Sequence, residues 1–449
     1  MSTRAAPPGR EAAAKVLEAL PREARPLVEA VLRAADRRGD RVYLVGGPVR
    51  DFLLGRPIAD VDLIVEDGQG GGAADLAREA APPGARVISH GRFGTVRIEL
   101  DAGAVDLATV RSETYAHPGA LPTVGPGDLC ADLRRRDFTV NAIAIPLSEA
   151  ARRVHPGIVA CRGALEDLER GILRVFHPRS FHDDPTRAFR AARFAARLGF
   201  RLSRETRGAL RDALRDGAFG FVSGDRIRRE LEKLFDESTP ELPPTRALRL
   251  LDSWHVLGAL EPGLDLPRQA LAPLRRLARA LAERPWPLGS VRCPVVGLIV
   301  WLAYVTATVR RRTLERLAVR GELAGRIAGF PAERRQVLRA LGRTRGRGAI
   351  DALLGRLDGE TLLALFVTAD AVSRRKIARY AALDRPRRPP VTGRDLLGVG
   401  LSGPAVGRAL ARIRAAYLDG TIRGREEALA LARELARRGG RRPGRADLV

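Results

Sequence analysis

Over the first 160 residues apolar positions fall in short blocks or alternate with polar ones, and from about residue 163 onward they recur with helical spacing. Blocks at 41–45 (RVYLV), 61–65 (VDLIV), 85–89 (ARVIS), 95–100 (TVRIEL) and 105–108 (VDLA) predict β-strands, because a period of two places one face of each on a core. Residues 10–38 predict one or two helices leading into the first strand, and 73–81 a further helix. GQGGG at 68–72 predicts a flexible connection. The stretch 111–127 (RSETYAHPGALPTVGPG) holds several Pro and Gly and no period, which predicts a mobile loop.

Beyond residue 163 the chain reads as a series of packed helices, punctuated by Gly and Pro near 178, 199, 217–224, 239–244, 262–267, 285–289 and 386–393. Residues 225–235 (DRIRRELEKLF) form an amphipathic pattern with Ile227, Leu231, Leu234 and Phe235 on the inner side. The run 295–305 (VVGLIVWLAYV) is too short for an unaided membrane span and is flanked by Arg, so a buried helix is expected. The Gly-x-Gly-x-x-Gly-Pro spacing at 398–404 predicts helix–turn–helix packing, since no strand precedes it as a dinucleotide site requires. The last residues, 437–449 (RRGGRRPGRADLV), predict a disordered basic tail. The fold class is therefore α+β: a small mixed sheet with helices, followed by an all-α remainder.

With 449 residues, two to four domains are expected, and an apolar share of 45% supplies ample core. The formal net charge is +25, nearly all of the excess being Arg. Such a charge points to a polyanionic partner, nucleic acid first and an acidic membrane surface second. Cys130, Cys161 and Cys293 are odd in number and widely spaced, and the opening residues show no apolar signal region. Together these predict a reducing, cytoplasmic setting without a disulfide framework.

The first chemical constellation is Gly46-Gly47-Pro48-Val49-Arg50-Asp51, followed by Asp60-Val61-Asp62. It reads as strand, Gly-Gly turn, short helix, strand. Two residues apart on a strand, Asp60 and Asp62 project from one face, beside a turn whose glycines let a phosphate approach the backbone. Paired carboxylates beside a phosphate cradle are what two-metal nucleotidyl transfer needs. An Asp-x-Asp pair alone is equally a solvated surface turn; the preceding Gly-Gly-x-x-Arg-Asp sets this one apart.

The second constellation is 134–142 (RRRDFTVNA). Asp137 can fix one Arg by pairing while another faces a phosphate, and Asn141 can bond a sugar hydroxyl or hold the backbone; a solvated charge run before a buried helix is the alternative. The third is 183–194 (DDPTRAFRAARF), with Asp184 expected at the N-cap and Pro185 at the first helical position. Asp184, Arg187, Arg190 and Arg193 then line one slowly drifting stripe. A carboxylate and a guanidinium one turn apart can read a nucleobase edge, with the next two Arg meeting phosphates; a capped helix with an ordinary basic face is the alternative. His90, His117, His155, His177, His182 and His255 have no metal-ligand spacing, and neither a GxxxxGK[ST] loop nor a Ser-His-Asp or Cys-His arrangement can be argued.

Taken in order, GGPVRD, DVDL, RRRDFTVNAIAI, LRVFHPRSFHDDPTRAFRAARFAARLGF and DRIRREL resemble the class II tRNA nucleotidyltransferase and bacterial poly(A) polymerase family, over about 40–265 and more loosely over 390–435. The resemblance implies a polymerase-β-like nucleotidyltransferase head followed by an elongated helical neck, body and tail. In numbers, this is an N-terminal helical extension at 1–30, head at 31–165, neck at 166–265, body at 266–390, tRNA-binding tail at 391–436 and basic tail at 437–449. It implies Asp60 and Asp62 as ligands of Mg²⁺, with Asp106 on the VDLAT strand as the place for a third catalytic carboxylate. Gly46, Gly47, Arg50, Arg136, Asp137 and Asn141 are implied around the nucleotide. Asp184 and Arg187 are implied as a protein template for CTP and then ATP, and Arg190 and Arg193 as phosphate ligands. The implied reaction completes tRNA 3′ ends with CCA, gripping the acceptor–TΨC arm by backbone and shape. Addition of CC only, A only or poly(A), and a non-catalytic RNA-binding role, are the alternatives. The 111–127 segment matches the loop that in the family helps switch from C to A, which favours full CCA addition. The chain shows no HD phosphohydrolase motif, so no phosphatase or phosphodiesterase activity is expected.

Overall fold

The computed structural model describes residues 9–67, 71–90, 94–101 and 103–440. The chain divides into two compact units, Met1–Ile227 and Arg228–Val449. The division falls inside the segment expected as the neck.

The first unit is built on a seven-stranded mixed sheet: β1 (Arg41–Val45), β2 (Asp62–Glu66), β3 (Arg86–His90), β4 (Thr95–Leu100), β5 (Gly103–Thr109), β8 (Ile143–Pro146) and β9 (Val159–Ala160), in the order β3-β4-β5-β2-β1-β8-β9. Every pairing is antiparallel except β2 with β5. Period-two patterning sets the faces. Val96 and Ile98 of β4 and Val105 and Leu107 of β5 are buried, while Arg97, Glu99 and Asp106 alternate with them on the opposite side. Tyr43, Val45, Ile64, Val110, Leu129, Leu133, Ala142 and Ala144 form a core on the sheet. A two-stranded parallel pair, β10 (Ile172–Leu173) and β11 (Arg201–Leu202), flanks the helix Arg187–Leu198.

Three expectations are corrected in this unit. The 111–127 segment is not a structureless loop: β6 (Arg111–Thr114) and β7 (Thr123–Pro126) pair as an antiparallel hairpin. Its tip is fastened, the Gly119 N–H donating to the His182 carbonyl at 3.0 Å and Arg226 donating to the Gly119 carbonyl at 2.8 Å. Pro and Gly masked the two four-residue strands. Secondly, β2 begins at Asp62, so Asp60 lies just ahead of the strand and exposed, and the shared-face argument does not extend to it. Thirdly, the helix expected from Pro185 begins at Arg187 with Thr186 as N-cap. Asp184 still does cap-like work, its Oδ1 accepting from the Thr186 N–H at 3.0 Å and hydroxyl at 2.6 Å. Of the GQGGG connection, residues 68–70 lie outside the described residues.

The second unit is helical. Cys293–Leu302 is buried from Val295 to Leu302, as its unbroken apolar run requires. A Cβ on Gly297 would stand 2.3 Å from the Phe235 ring, so only glycine admits that close approach. Among the described residues no helix is long and apolar enough to cross a membrane. Gly393–Gly398, Pro404–Asp419 and Arg425–Gly440 pack round Val391, Leu396, Leu401, Ala409, Ile413, Ile422, Ala428 and Ala432. The last helix runs to Gly440, past the residue-437 boundary of the expected disordered tail; 441–449 lie outside the described residues.

Candidate active site

The strands bring the acids together. Parallel register sets Asp62 of β2 directly beside Asp106 of β5, so the carboxylate separated by 44 positions in sequence is the lateral neighbour of the Asp-x-Asp motif. Burial pushes the Asp62 carboxyl up to about 6, with Asp106 and Asp60 adding to the rise and Arg136 and Arg97 opposing it. The site thus sets three acids close together at the end of the sheet, Asp62 being the most enclosed of them. Among the described residues no three His, Cys, Asp or Glu side chains close into a ready-made metal cage. A carboxylate pair with a third acid nearby nevertheless fits a hard divalent cation of the Mg²⁺ kind, which takes one or two protein carboxylates and completes its shell with substrate phosphate and water.

Next to the acids lies the glycine turn. Gly46 has φ +74°, a conformation that disfavours a side chain, and a Cβ there would stand 2.6 Å from Arg136 Nη1. Gly47 opens the helix Gly47–Leu53. Arg136 donates Nη2 to Asp132 Oδ2 at 3.0 Å, and its buried Nε has no partner among the described residues. Gly46 and Arg136 therefore stand against each other beside the acids, with no room for a side chain at position 46.

Arg50, which the resemblance implies near the nucleotide, is deeply buried. It is 2% exposed, forks onto both Asp51 oxygens at 2.9 Å, donates to Asn141 Oδ1 at 2.7 Å and lies 5.1 Å from the Phe194 ring centroid. Asn141 in turn donates to Asp137 Oδ1 at 2.8 Å. Asp137 also accepts from the Phe138 N–H at 2.9 Å and, through Oδ2, from Arg190 at 2.7 Å. Burial alone would raise Asp137, but Arg190 and Asn141 overcome it and hold the carboxyl below the usual carboxylate range. Arg50, Asn141 and Asp137 form one buried strut, which Arg190 closes at its half-exposed end. Of the two roles open to Asn141, holding structure is the one its contacts support.

The helix Arg187–Leu198 does not present a solvated basic face. Arg187 and Arg193 are 5% and 8% exposed. Arg187 bonds the Ser180 hydroxyl and donates Nη2 to the Arg135 carbonyl at 3.2 Å. Asp184 Oδ1 also accepts from Arg226 Nη2 at 2.8 Å.

Several participants escaped sequence reasoning. Asp132 is fully buried and holds both Arg135 and Arg136. Arg135 reaches on to Glu113 Oε1 at 2.8 Å, and Glu113 accepts from the Tyr115 hydroxyl at 3.2 Å. The Tyr115 phenol is pushed up to about 12, mainly by burial, and feels both Arg187 and Asp184. Asp132 and Arg135 thus link Arg136 to the Asp184/Arg187 region. Arg135 belongs to the 134–142 run and Asp132 lies just ahead of it, Glu113 and Tyr115 lie in the segment expected as a loop, and Arg226 lies in the amphipathic segment 225–235.

The poly(A) polymerase head-domain family matches residues 42–174, the span that carries the sheet, the acids and Arg136. The A-adding tRNA nucleotidyltransferase of Geobacter sulfurreducens is 33% identical over 92% of this chain, which spans only 47% of that relative's length. The CC-adding tRNA nucleotidyltransferase of Deinococcus radiodurans is 34% identical over 86% of both chains. Among solved structures, the Thermotoga maritima CCA-adding enzyme complexed with tRNA aligns with a TM-score of 0.69 at 27% identity, covering 94% of this chain and 97% of that one. With likeness of this extent carried through both units and over the carboxylate sheet itself, the chain belongs to the tRNA nucleotidyltransferase and poly(A) polymerase family.

Proposed function

We propose that this chain is a tRNA nucleotidyltransferase that extends tRNA 3′ ends from CTP and ATP without a nucleic-acid template. The observation that carries the reading is the Asp62/Asp106 register beside the Gly46–Arg136 turn. Asp60, Asp62 and Asp106 are the residues that would hold Mg²⁺. Bound there, the metal supplies activation of the tRNA 3′-hydroxyl and charge neutralisation on the triphosphate and leaving pyrophosphate. Gly46 and Arg136 bind the triphosphate, with Asp132 fixing the Arg136 fork. The Arg50–Asn141–Asp137–Arg190 strut keeps that wall rigid. Asp184 and Arg187 select the base, an acceptor and a donor set at one helix start. The excess of arginine suits the phosphates of the acceptor–TΨC arm.

Full CCA addition is the product we infer, supported by the ordered hairpin at 111–126, which is tied to Asp184 through Arg226. A-only addition is the second reading, favoured by the likeness to the Geobacter A-adding enzyme. The deciding experiment supplies CTP and ATP singly and together to tRNAs ending before the first C or after the second, then sequences the ends. CCA synthesis requires CC from CTP alone and CCA from both. ATP incorporation into tRNA ending in CC with no incorporation of CTP identifies the A-only enzyme, and no incorporation of either nucleotide refutes the proposal.

Arg187→Ala is expected to relax selection of CTP and ATP over UTP and GTP by about ten- to a hundredfold, the worth of one forked base contact. tRNA affinity, measured by filter binding, should change far less. Unchanged selectivity among the four nucleotides would remove Arg187 from the template role.

A further inference from the structure

A line of charge runs across the sheet and ends at the carboxylates. Arg86 on β3 donates to Glu99 Oε2 at 2.7 Å. Arg97, on the same strand and face as Glu99, donates Nε to Glu99 Oε1 at 2.9 Å and Nη1 to Asp106 Oδ2 at 2.8 Å. Strand register sets Arg97 directly opposite Asp106, and Asp106 directly opposite Asp62. Across three adjacent strands the order of charges is therefore plus, minus, minus.

Two carboxylates in register on adjacent strands repel each other, and Asp60 adds to that field. Arg97 is the cation set laterally against them. It occupies one oxygen of Asp106, and its Nε bond to Glu99 restrains its swing. A pinned guanidinium acts on an incoming divalent cation in two opposing ways. It holds Asp106 in place, and it repels the cation while competing for the same carboxylate. At an effective dielectric between protein surface and water, the repulsive effect of a full charge a few ångströms away amounts to about a five- to tenfold change in affinity.

We propose that Arg97 is the resident counter-cation of the Asp62/Asp106 pair, sharing Asp106 with the catalytic metal and keeping the head's own hold on that metal weak until nucleotide phosphates add theirs. The proposal rests on the metal-site reading above. No residue pattern in the sequence marks Arg97, since its significance lies wholly in a cross-strand register.

The test is Mn²⁺ binding to the full chain without nucleotide, read from the loss of the free Mn²⁺ electron paramagnetic resonance signal. Arg97→Met, which keeps length and removes charge, is expected to tighten Mn²⁺ binding about five- to tenfold; Arg97→Lys should stay near wild type. The gain should shrink in an Asp106→Asn background, because the share that comes from competition for that carboxylate is lost there. Unchanged or weaker binding by Arg97→Met, or an equal gain without the Asp106 carboxylate, overturns the proposal. Arg97 is 41% exposed, and Arg97→Gln, judged by the same criterion, stands in if circular dichroism shows the Met variant misfolded. Incorporation by the wild-type protein is measured in parallel: its absence strikes the nucleotidyl-transfer reading, whereas the Mn²⁺ comparison alone decides the role of Arg97.

Discussion

Asp62→Asn is expected to lower nucleotide incorporation on the order of a thousandfold without unfolding the protein. A bound divalent cation contributes several kcal/mol of transition-state charge stabilisation, and each 1.36 kcal/mol is tenfold in rate. Asn keeps the volume of Asp62 and loses the charge that would hold the cation. The stability outcome has the opposite sign. Burial and neighbouring acids raise the Asp62 carboxyl to about 6, against roughly 3.9 in an unfolded chain. Folding is therefore disfavoured by the ionised form: the cost is absent below about pH 4, grows as pH rises through 6 and is complete above it. In EDTA, Asp62→Asn should melt at or above the wild-type temperature at pH 8 and lose that advantage below pH 4. A variant that loses activity while holding or gaining stability marks a residue kept for chemistry. Equal incorporation by mutant and wild type would remove Asp62 from the metal site.

Asp137→Ala is expected to act the other way, through the fold. Asp137 is 7% exposed and joins Arg190, Asn141 and the Phe138 N–H; Asn141 in turn holds Arg50, which is 2% exposed. Removing one partner of a buried charge network costs about 3–5 kcal/mol. Arg190, 34% exposed, can turn part of its charge to water, which places the expectation near the lower end, about 3 kcal/mol. In a unit of this size that is a melting-temperature fall of roughly 6–12 °C. Because the Asp137 carboxyl is held below the usual range, its stabilisation is fully present above about pH 4 and is lost as pH falls through its native value. Wild type and Asp137→Ala should therefore converge in stability in strong acid. The prediction fails if differential scanning calorimetry finds the variant within a degree or two of wild type at pH 7.

Between them the two substitutions separate what the motif residues do. Asp62 is held at a cost to stability, whereas Asp137, Arg50 and Asn141 stabilise the wall on which Gly46 and Arg136 are mounted. The sequence motifs set Asp62 at a metal and the other five around a nucleotide, gave Asp137 a pairing role, and left open whether Asn141 touches the nucleotide or holds its neighbours. Side-chain burial makes that distinction, and burial is a property of the packed unit.

What the sequence determined by itself was local. Period-two blocks placed β1, β4 and the body of β2 within a residue or two, and an unbroken apolar run identified the buried helix Cys293–Leu302. The motif order from Gly46 to Arg193 carried the family, because each motif is a short stretch whose spacing is set by one strand, turn or helix. Only the tertiary structure decided that Asp106 lies beside Asp62, that Arg97 faces Asp106, that Asp132 holds Arg135 and Arg136, and that residues 111–126 form a hairpin. The alignments of Asp106 and Arg97 depend on strand register, and a one-residue slip would turn each of those side chains to the other face of the sheet. Register is chosen by the whole hydrophobic face packing at once, so no single segment carries it.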